Sequence, residues 1–349
     1  ENFTRRQAML AVTAIWVAAG VCGALPFVLG AGLSPVDALF ESVSGLTTTG
    51  ATVIGDIETR LSRPLLLWRS MSQWLGGMGI VVLFVAVFPN LGTTGKQLYK
   101  NEAPGAEAEG FKPRIAETSI TLWKLYAAFT VAEIVILALL GMDAFEAVCH
   151  GLTTMSTGGF STRDASVGGF GVPAFEWVIA IFMLIGSVNY GLYYLVLRGR
   201  KLSTITRNVE FRAFVGIVVV STALLTLLNL DLHPKPLDSL RYALFMVATT
   251  VSSTGYGTDD YALFGQAGLA IMLGLMFVGG CSGSTAGGMK VERTVIVAKE
   301  TLTEIRQSFA PSMVQVVRLG SRVVSRPVLA TVLAFFAGLL ISSAAGARL

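Results

Sequence analysis

Long apolar runs alternate with polar segments along the chain, and this alternation predicts membrane-spanning helices. A helix needs roughly 20 residues to cross a bilayer core of about 30 Å. Runs of about this length lie near residues 8–30, 65–88, 121–140, 174–197, 211–230, 262–280 and 327–345. The pattern therefore predicts a multi-pass, all-α integral membrane protein with about seven spans.

Three polar segments between these runs resemble one another. Residues 37–51 read DALFESVSGLTTTGA, residues 143–159 read DAFEAVCHGLTTMSTGG, and residues 241–257 read RYALFMVATTVSSTGYG. In each, an apolar stretch of roughly ten residues is too short to cross the membrane and is typical of a re-entrant half-helix. We therefore expect a repeated unit of span, re-entrant segment and span.

The repeated unit divides the chain into expected domains. The first three repeats cover 1–91, 92–200 and 201–299, and a cytoplasmic linker with the first helix of an incomplete fourth repeat covers 300–349. The chain starts at Glu1 rather than at a methionine and its last apolar run stops at Leu349. From these ends we expect a fragment of a longer protein.

Composition supports the membrane assignment and adds an orientation. The chain is 53% hydrophobic and 14% charged, unlike an ordinary soluble domain. The N-terminus and the connections 89–120, 198–212 and 290–326 hold 18 Lys and Arg residues, whereas the alternate connections hold five. The positive-inside rule makes the first set cytoplasmic, so the three similar segments face outward.

Few other kinds of site fit this composition. Cys22, Cys149 and Cys281 lack C-x-x-C spacing, so neither a disulfide framework nor a zinc site is predicted, and we expect small buried hydrophobic side chains. We expect no cofactor and no nucleic-acid partner, and membrane lipid as the surroundings. Acidic side chains outnumber basic ones in the outer segments, which favours a cation-attracting vestibule.

Each similar segment ends in a Thr/Ser-Thr-Gly sequence, and this chemistry suits a cation. Non-helical backbone at membrane depth is tolerated only where it is buried in protein or lines a path. A ring of carbonyl and hydroxyl oxygens can replace the water shell of an alkali cation. The alternative is an ordinary loop. The candidate ion-binding residues are Thr48, Thr49, Gly50, Ser156, Thr157, Gly158, Ser253, Thr254 and Gly255.

A glycine-rich stretch, GGCSGSTAGGMK at 279–290, interrupts the apolar run that ends the third repeat. Five glycines lower helix propensity by roughly 1 kcal/mol each, so we expect a broken helix. A mobile polar segment next to a filter could block the path. The alternative is a small-residue interface for close helix packing. The candidate gate residues are Gly279, Gly280, Ser282, Gly283, Ser284, Thr285, Gly287 and Gly288.

The same stretch admits two weaker hypotheses. GCSG at 280–283 matches the pattern of an intramembrane serine protease with Ser282 as nucleophile, but that chemistry needs a nearby base, and His150 and His233 lie in the outer segments. A phosphate-binding loop would need a following G-K-S/T, which is missing. Neither hypothesis explains the three repeated segments.

Polar residues inside the predicted spans are few. Glu133 lies near the middle of its span, and Arg69 lies in the outer half of an oppositely directed one. Charged groups in the membrane are costly and usually paired or functional, so we expect the two to form a buried ion pair, with a role in the pore as the alternative. Gln73 and Asn189 are expected to form interhelical hydrogen bonds.

At these residues the sequence resembles the Trk/Ktr/HKT superfamily of potassium transporters, and within it the Trk-type membrane subunits of bacteria. The stretches that carry the resemblance are FESVSGLTTTGATV (40–53), RSMSQWLGGMGIVVL (69–83), STGGFSTRDAS (156–166), TGYG (254–257) and GGCSGSTAGGMKVERT (279–294). Together they span nearly the whole chain.

The resemblance implies a pseudo-fourfold pore of four M1-P-M2 repeats in the bacterial cytoplasmic membrane. It also implies a homodimer on a ring of cytosolic nucleotide-binding subunits, K⁺ at the filter residues, and a gating role for the glycine-rich loop. Glycine at all three filter positions implies potassium preference. Relative to the family pattern, the N-terminal extra helices and the fourth filter are missing from this sequence.

The expected function is potassium uptake through a selectivity filter, and the chain is not expected to be an enzyme. The alternative is a symporter on the same fold that couples potassium to sodium or protons, because a filter reports which ion is coordinated and not what drives it. A third possibility is a truncated chain with no transport role of its own.

Overall fold

The computed structural model describes residues 5–87, 115–199, 201–309, 317–320, 322–324 and 326–346. These residues are mostly helical, as predicted. The first helices are α1 (Arg5–Ala31), α2 (Pro35–Leu46), α3 (Ile57–Arg60), α4 (Arg63–Val87), α5 (Ile115–Leu139), α6 (Ala144–Met155), α7 (Pro173–Gly186) and α8 (Tyr190–Leu197). The expected boundary between residues 91 and 92, and most of the basic connection 89–120, lie outside the described residues.

The second half of the chain continues this pattern. Its helices are α9 (Ser203–Thr206), α10 (Val209–Leu228), α11 (Pro236–Val251), α12 (Gly265–Val278), α13 (Val291–Phe309) and α14 (Arg326–Gly346). Short 3₁₀ turns form at Ser166–Phe170 and Tyr261–Phe264. An antiparallel ribbon pairs β1 (Arg318–Leu319) with β2 (Arg322–Val323) ahead of α14.

Most predicted spans correspond to long apolar helices. Within the described residues, four stretches are long and apolar enough to cross a membrane: Leu10–Ala31, Ser119–Leu139, Val209–Leu228 and Tyr261–Val278. The run at 174–197 forms α7 and α8, which meet at a bend of 85°. The run at 65–88 forms α4 as one helix, and the apolar part of α14, Val328–Ser342, is shorter than the other spans.

Three short helices, α2, α6 and α11, form from the three similar segments. They contain 12, 12 and 16 residues, or about 18 to 24 Å, which is less than the bilayer core. Their starts are marked in the sequence: the Ser34 and Asp143 side chains accept hydrogen bonds from backbone N–H groups of the first turns, and Pro35 and Pro236 occupy first positions.

Longer helices enclose each of these short ones. α2 packs against α1 and α4, α6 against α5 and α7, and α11 against α10 and α12. In addition, α6 contacts α4 and α11 contacts α7, so neighbouring groups are joined. Buried side chains fill these contacts, including Leu225 with Val247 around α11, and Leu137 with Ile179 around α6. This packing brings the C-terminal ends of the three short helices together.

Candidate functional site: three helix-end segments and a glycine-rich loop

The three short helices end in the same backbone turn. The residue after each helix cap is left-handed, with φ of 54°, 53° and 56° at Thr48, Thr157 and Ser253. The N–H group of the next residue donates to the carbonyl five positions earlier, over 2.9 Å, in all three cases. This is the Schellman motif, built here with hydroxyl residues at a position that usually holds glycine.

A second left-handed residue follows two positions later and is a glycine in each segment. The three are Gly50, Gly159 and Gly255, with φ of 75°, 78° and 85°. The sequence pattern predicts Gly158 at this position, whereas the backbone has Gly159 there, because α6 ends at Met155 and Thr157 takes the first left-handed position. The geometry therefore adds Gly159 to the candidate set. The glycine doublet left this choice open in the sequence.

These three helix-end segments, 48–50, 157–159 and 253–255, lie against one another in chain order. A methyl group on Gly50 would lie 2.1 Å from the carbonyl oxygen of Gly158, and one on Gly159 would lie 1.8 Å from that of Thr254. A methyl group on Gly255 would have no described heavy atom within 4 Å. The first segment thus touches the second and the second touches the third, while the third borders open space.

In each of two segments, an aromatic ring packs against a neighbouring short helix. Phe160, which follows Gly159, places its ring 3.4 Å from the position that a Gly45 methyl group would take in α2. Tyr256, which follows Gly255, is 1% exposed, and its hydroxyl is hydrogen-bonded to Thr153 in α6. Each ring therefore inserts against the short helix of the preceding group.

The expected ion pair between Arg69 and Glu133 is wrong. Arg69 pairs instead with Glu41 of α2, with 3.4 Å between Nε and Oε2, and both side chains are buried. Its guanidinium also donates to the Ser161 carbonyl and to the Thr52 hydroxyl, each over 3.2 Å. The sequence did not reveal this partner, because only residues within the long predicted spans were compared and Glu41 lies in the short helix α2.

Glu133 is fully buried in α5, and neither of its carboxylate oxygens has a hydrogen-bond partner among the described residues. The Thr154 side chain of α6 faces it, and Tyr190 lies within electrostatic range. The Tyr190 hydroxyl is likewise buried and lacks a hydrogen bond in the described structure. The polar atoms of Glu133, Thr154 and Tyr190 therefore form a small buried group next to α6.

Gln73 and Asn189 do not form the interhelical hydrogen bonds that we expected. The Gln73 amide donates to the Gly158 carbonyl over 2.7 Å and accepts from the Phe160 N–H over 3.1 Å, so its partners are backbone atoms of the second segment. The Asn189 side chain accepts from the Gly191 N–H over 2.7 Å and caps α8.

Much of the outer acidic charge is used within the fold. Glu41 and Glu176 are buried in ion pairs with Arg69 and Arg241. On the surface, Glu146 pairs with Arg163 at 3.1 Å, and Asp259 pairs with His233 at 2.7 Å. The three carboxylates paired with arginine neutralise local cations, so they add little to the charge expected of a cation-attracting vestibule.

The predicted helix break at the glycine-rich stretch is confirmed, since α12 ends at Val278 and α13 begins at Val291. The loop between them contacts two of the helix-end segments. The Gly287 N–H donates to the Ser253 hydroxyl over 2.6 Å. The Thr285 hydroxyl lies 3.1 Å from the carbonyls of both Met155 and Gly186. The loop therefore lies directly against the ends of α6 and α11.

A second helix break, between α7 and α8, supports the loop and was not predicted. The Ser187 carbonyl in this break accepts from the Cys281 N–H over 2.8 Å, and the Tyr190 N–H donates to the Gly283 carbonyl over 3.1 Å. Two glutamates also hold the loop: Glu210 accepts from the Ser282 N–H over 2.6 Å, and Glu292 lies 3.3 Å from its hydroxyl. Asn189, a strong N-cap residue inside an apolar run, was the available sequence signal.

Neither histidine lies at this loop, so the protease hypothesis lacks a histidine base. The Ser282 hydroxyl faces Glu292, while His150 contacts Glu146 and Ser161 and His233 contacts Asp259. No group of three or more His, Cys, Asp or Glu side chains that could hold a metal ion occurs within the described part of the chain.

Comparison with known proteins agrees with this architecture. The family model for TrkH, described as a cation transport protein, matches residues 2–348. The Trk system potassium uptake protein TrkH of Escherichia coli K12 is 41% identical over 338 residues, which are 95% of this chain and 69% of that protein. TrkH of Halomonas elongata is 38% identical over 343 residues, covering 96% of this chain and 70% of that protein.

A solved structure shows the same fold. The crystal structure of the potassium transporter TrkH from Vibrio parahaemolyticus superimposes with a TM-score of 0.86 at 35% identity, covering 97% of this chain and 70% of that one. The chain therefore belongs to the TrkH family, whose members are cation transport proteins rather than enzymes.

Proposed function

We propose that this protein takes up potassium across the bacterial cytoplasmic membrane and that the three helix-end segments line its selectivity filter. The observation that carries the proposal is the threefold recurrence of one strained turn, at Thr48, Thr157 and Ser253, in segments packed side by side. The similar proteins from Escherichia coli K12 and Halomonas elongata are potassium uptake proteins, which supports potassium as the cation.

In this proposal the helices form M1-P-M2 units. α1, α2 and α4 make the first unit, α5, α6 and the bent pair α7–α8 the second, and α10, α11 and α12 the third. The packing of each short helix between its neighbours supports this division. In a pseudo-fourfold arrangement, a fourth segment would lie at the open side next to Gly255. α14 would open that unit.

The mechanism follows from the chemistry of the three segments. Carbonyl and hydroxyl oxygens of Thr48, Thr49, Ser156, Thr157, Ser253 and Thr254 replace the water shell of the cation, which then moves down its electrochemical gradient. Gly50, Gly159 and Gly255 permit the second left-handed turn that a side chain would strain. We keep the nine candidate filter residues as part of the proposal and add Gly159, which takes the backbone position of Gly50 and Gly255 in the second segment.

We further propose that residues 279–288 obstruct the path at rest. Its bonds to Ser253 and Met155 place the loop against the filter segments, as a gate requires. Following the family resemblance, we propose a homodimer and a cytosolic nucleotide-binding ring that moves this loop. If deletion of residues 283–286 left potassium flux unchanged in protein that still reaches the membrane, the gate assignment would be wrong.

The filter proposal is tested by potassium and sodium uptake in a bacterium that lacks its own potassium uptake, with the protein produced from its complete gene. Gly255→Ser is the informative variant, because a side chain there meets no described atom within 4 Å but changes the filter backbone. We expect it to lose potassium preference. Gly257→Ser, equally free of steric overlap, is the control. Failure of the wild-type protein to support growth at low potassium contradicts the proposal.

Glu133 favours a second candidate, the symporter. An ionised carboxylate without a partner is costly in a membrane interior, so a buried group of this kind is suited to carry a proton. In a proton symporter, Glu133→Gln should abolish potassium-driven proton entry. Potassium flux without proton movement in both the wild type and the variant would exclude the proton symporter and favour the channel mechanism.

A further inference from the structure

Two polar side chains on one face of α4, a helix of the first unit, bind the second helix-end segment, which belongs to the second unit. Arg69 and Gln73 are four residues apart and therefore lie on the same helix face. Arg69 binds the Ser161 carbonyl, and Gln73 binds the Gly158 carbonyl and the Phe160 N–H. Both side chains are about 1% exposed or less. α4 thus binds backbone atoms of three residues in and directly after the second segment: Gly158, Phe160 and Ser161.

Gln73 makes the more specific of these contacts. Its amide offers a donor to Gly158 over 2.7 Å and an acceptor to Phe160 over 3.1 Å, so one planar group satisfies two backbone atoms. The fit is tight, since a methyl group on Gly158 would lie 2.3 Å from the Gln73 amide carbon. Of the standard side chains, only Asn carries the same amide group, and its stem is shorter.

The Gly158 carbonyl held by Gln73 also defines the spacing between two segments. A methyl group on Gly50 would lie 2.1 Å from this oxygen, so the first segment rests against it. Gln73 therefore fixes the oxygen from one side while Gly50 contacts it from the other. The third segment is held differently, through the Tyr256 hydroxyl and α6.

We propose that Gln73 is a specificity-determining positioning residue that sets the distance between the first and second filter segments. The inference rests on the proposed filter function. A cation filter discriminates by the number, spacing and field strength of its oxygens. Loss of the Gln73 hydrogen bonds frees the second segment to shift, so smaller cations gain access without a change in the residues that touch the ion.

Two variants distinguish the loss of one Gln73 hydrogen bond from the loss of both. Gln73→Glu keeps the size and the acceptor for Phe160 but places an oxygen against the Gly158 carbonyl. Gln73→Met keeps approximate volume and removes both bonds. Ser70→Ala is the matched control, because this buried hydroxyl on the same helix donates to the Leu66 carbonyl of its own helix over 3.0 Å.

The measurement is the ratio of potassium to sodium uptake, with KM and maximal rate determined for each ion and membrane protein quantified by immunoblot. We expect both Gln73 variants to lower the preference for potassium about tenfold, the equivalent of one strong hydrogen bond. Ser70→Ala should keep it. Gln73 variants that change only the amount of protein, at unchanged preference, show a merely structural role and overturn the proposal.

Poor membrane insertion of both variants would call for Gln73→Asn, which keeps the amide on a shorter stem. We expect normal amounts of that protein with lowered preference, and normal preference in it contradicts the proposal. A wild-type protein without potassium preference contradicts the filter function itself. If the wild-type protein prefers potassium and the Gln73 variants are equally selective, only the proposed role of Gln73 is contradicted.

Discussion

At the scale of single residues, the helix ends store strain where the proposed filter lies. Thr48 and Thr157 are β-branched residues in the left-handed region, which costs roughly 1–2 kcal/mol each. Local bonds offset part of this cost, since the Thr157 hydroxyl donates to the Ser156 carbonyl over 2.7 Å and the Ser253 hydroxyl to the Ser252 carbonyl over 2.6 Å. Glycine would relieve the strain, so its absence here indicates a use for the hydroxyl groups.

Gly159 provides a residue-scale prediction. Gly159→Ala should abolish potassium uptake and lower the thermal stability of the purified protein. The new methyl group would lie 1.8 Å from the Thr254 carbonyl at a φ of 78°, and overlap plus strain should cost on the order of 3 kcal/mol. Gly257→Ala is the control, because that position is open. A Gly159→Ala protein with normal Tm and uptake shows that the second segment does not contact the third as described.

At the scale of elements, sequence patterns predicted the helices and one of two helix breaks. The length of the apolar runs predicted α1, α5, α10 and α12, and the five glycines predicted the loop after Val278. The break at 187–189 was missed because GSVN lies inside an apolar run with little glycine. The register of the second segment was also missed, since it depends on where α6 stops. Partners such as Glu41 for Arg69 could not be predicted, because they depend on how neighbouring groups pack.

The unpredicted break leads to an element-scale prediction. Asn189→Ala should raise the potassium leak measured without any activating partner, because it removes the cap of α8 at the point where Ser187 and Tyr190 bind the loop. Loss of an N-cap costs about 1 kcal/mol.

Ser34→Ala is the matched control for this variant. Ser34 caps α2 by the same kind of bond, over 3.2 Å to the Asp37 N–H, and α2 makes no described hydrogen bond to the loop. Equal leak from both variants would mean that general helix destabilisation, rather than loop support, opens the path.

At the scale of the whole molecule, the two candidate functional parts face opposite charge environments. The helix-end segments lie toward connections with few Lys and Arg residues, whereas the glycine-rich loop leads through Lys290 and Arg293 into a basic connection. By the positive-inside rule, this asymmetry predicts that the proposed filter lies toward the outside and the proposed gate toward the cytoplasm. Charge counts along the sequence suffice for this orientation, although they reveal nothing about the buried pairs within the fold.

The orientation yields a whole-molecule prediction. In a protein with Cys22, Cys149 and Cys281 replaced, Asp260→Cys and Lys201→Cys each introduce one thiol at an exposed position. An impermeant maleimide added to intact cells should label the Asp260→Cys protein only, and both proteins after permeabilisation. Labelling of Lys201→Cys alone would invert the topology and put the gate outside the filter. Labelling of both in intact cells would mean that no membrane separates the two connections, which removes the basis for a path between them.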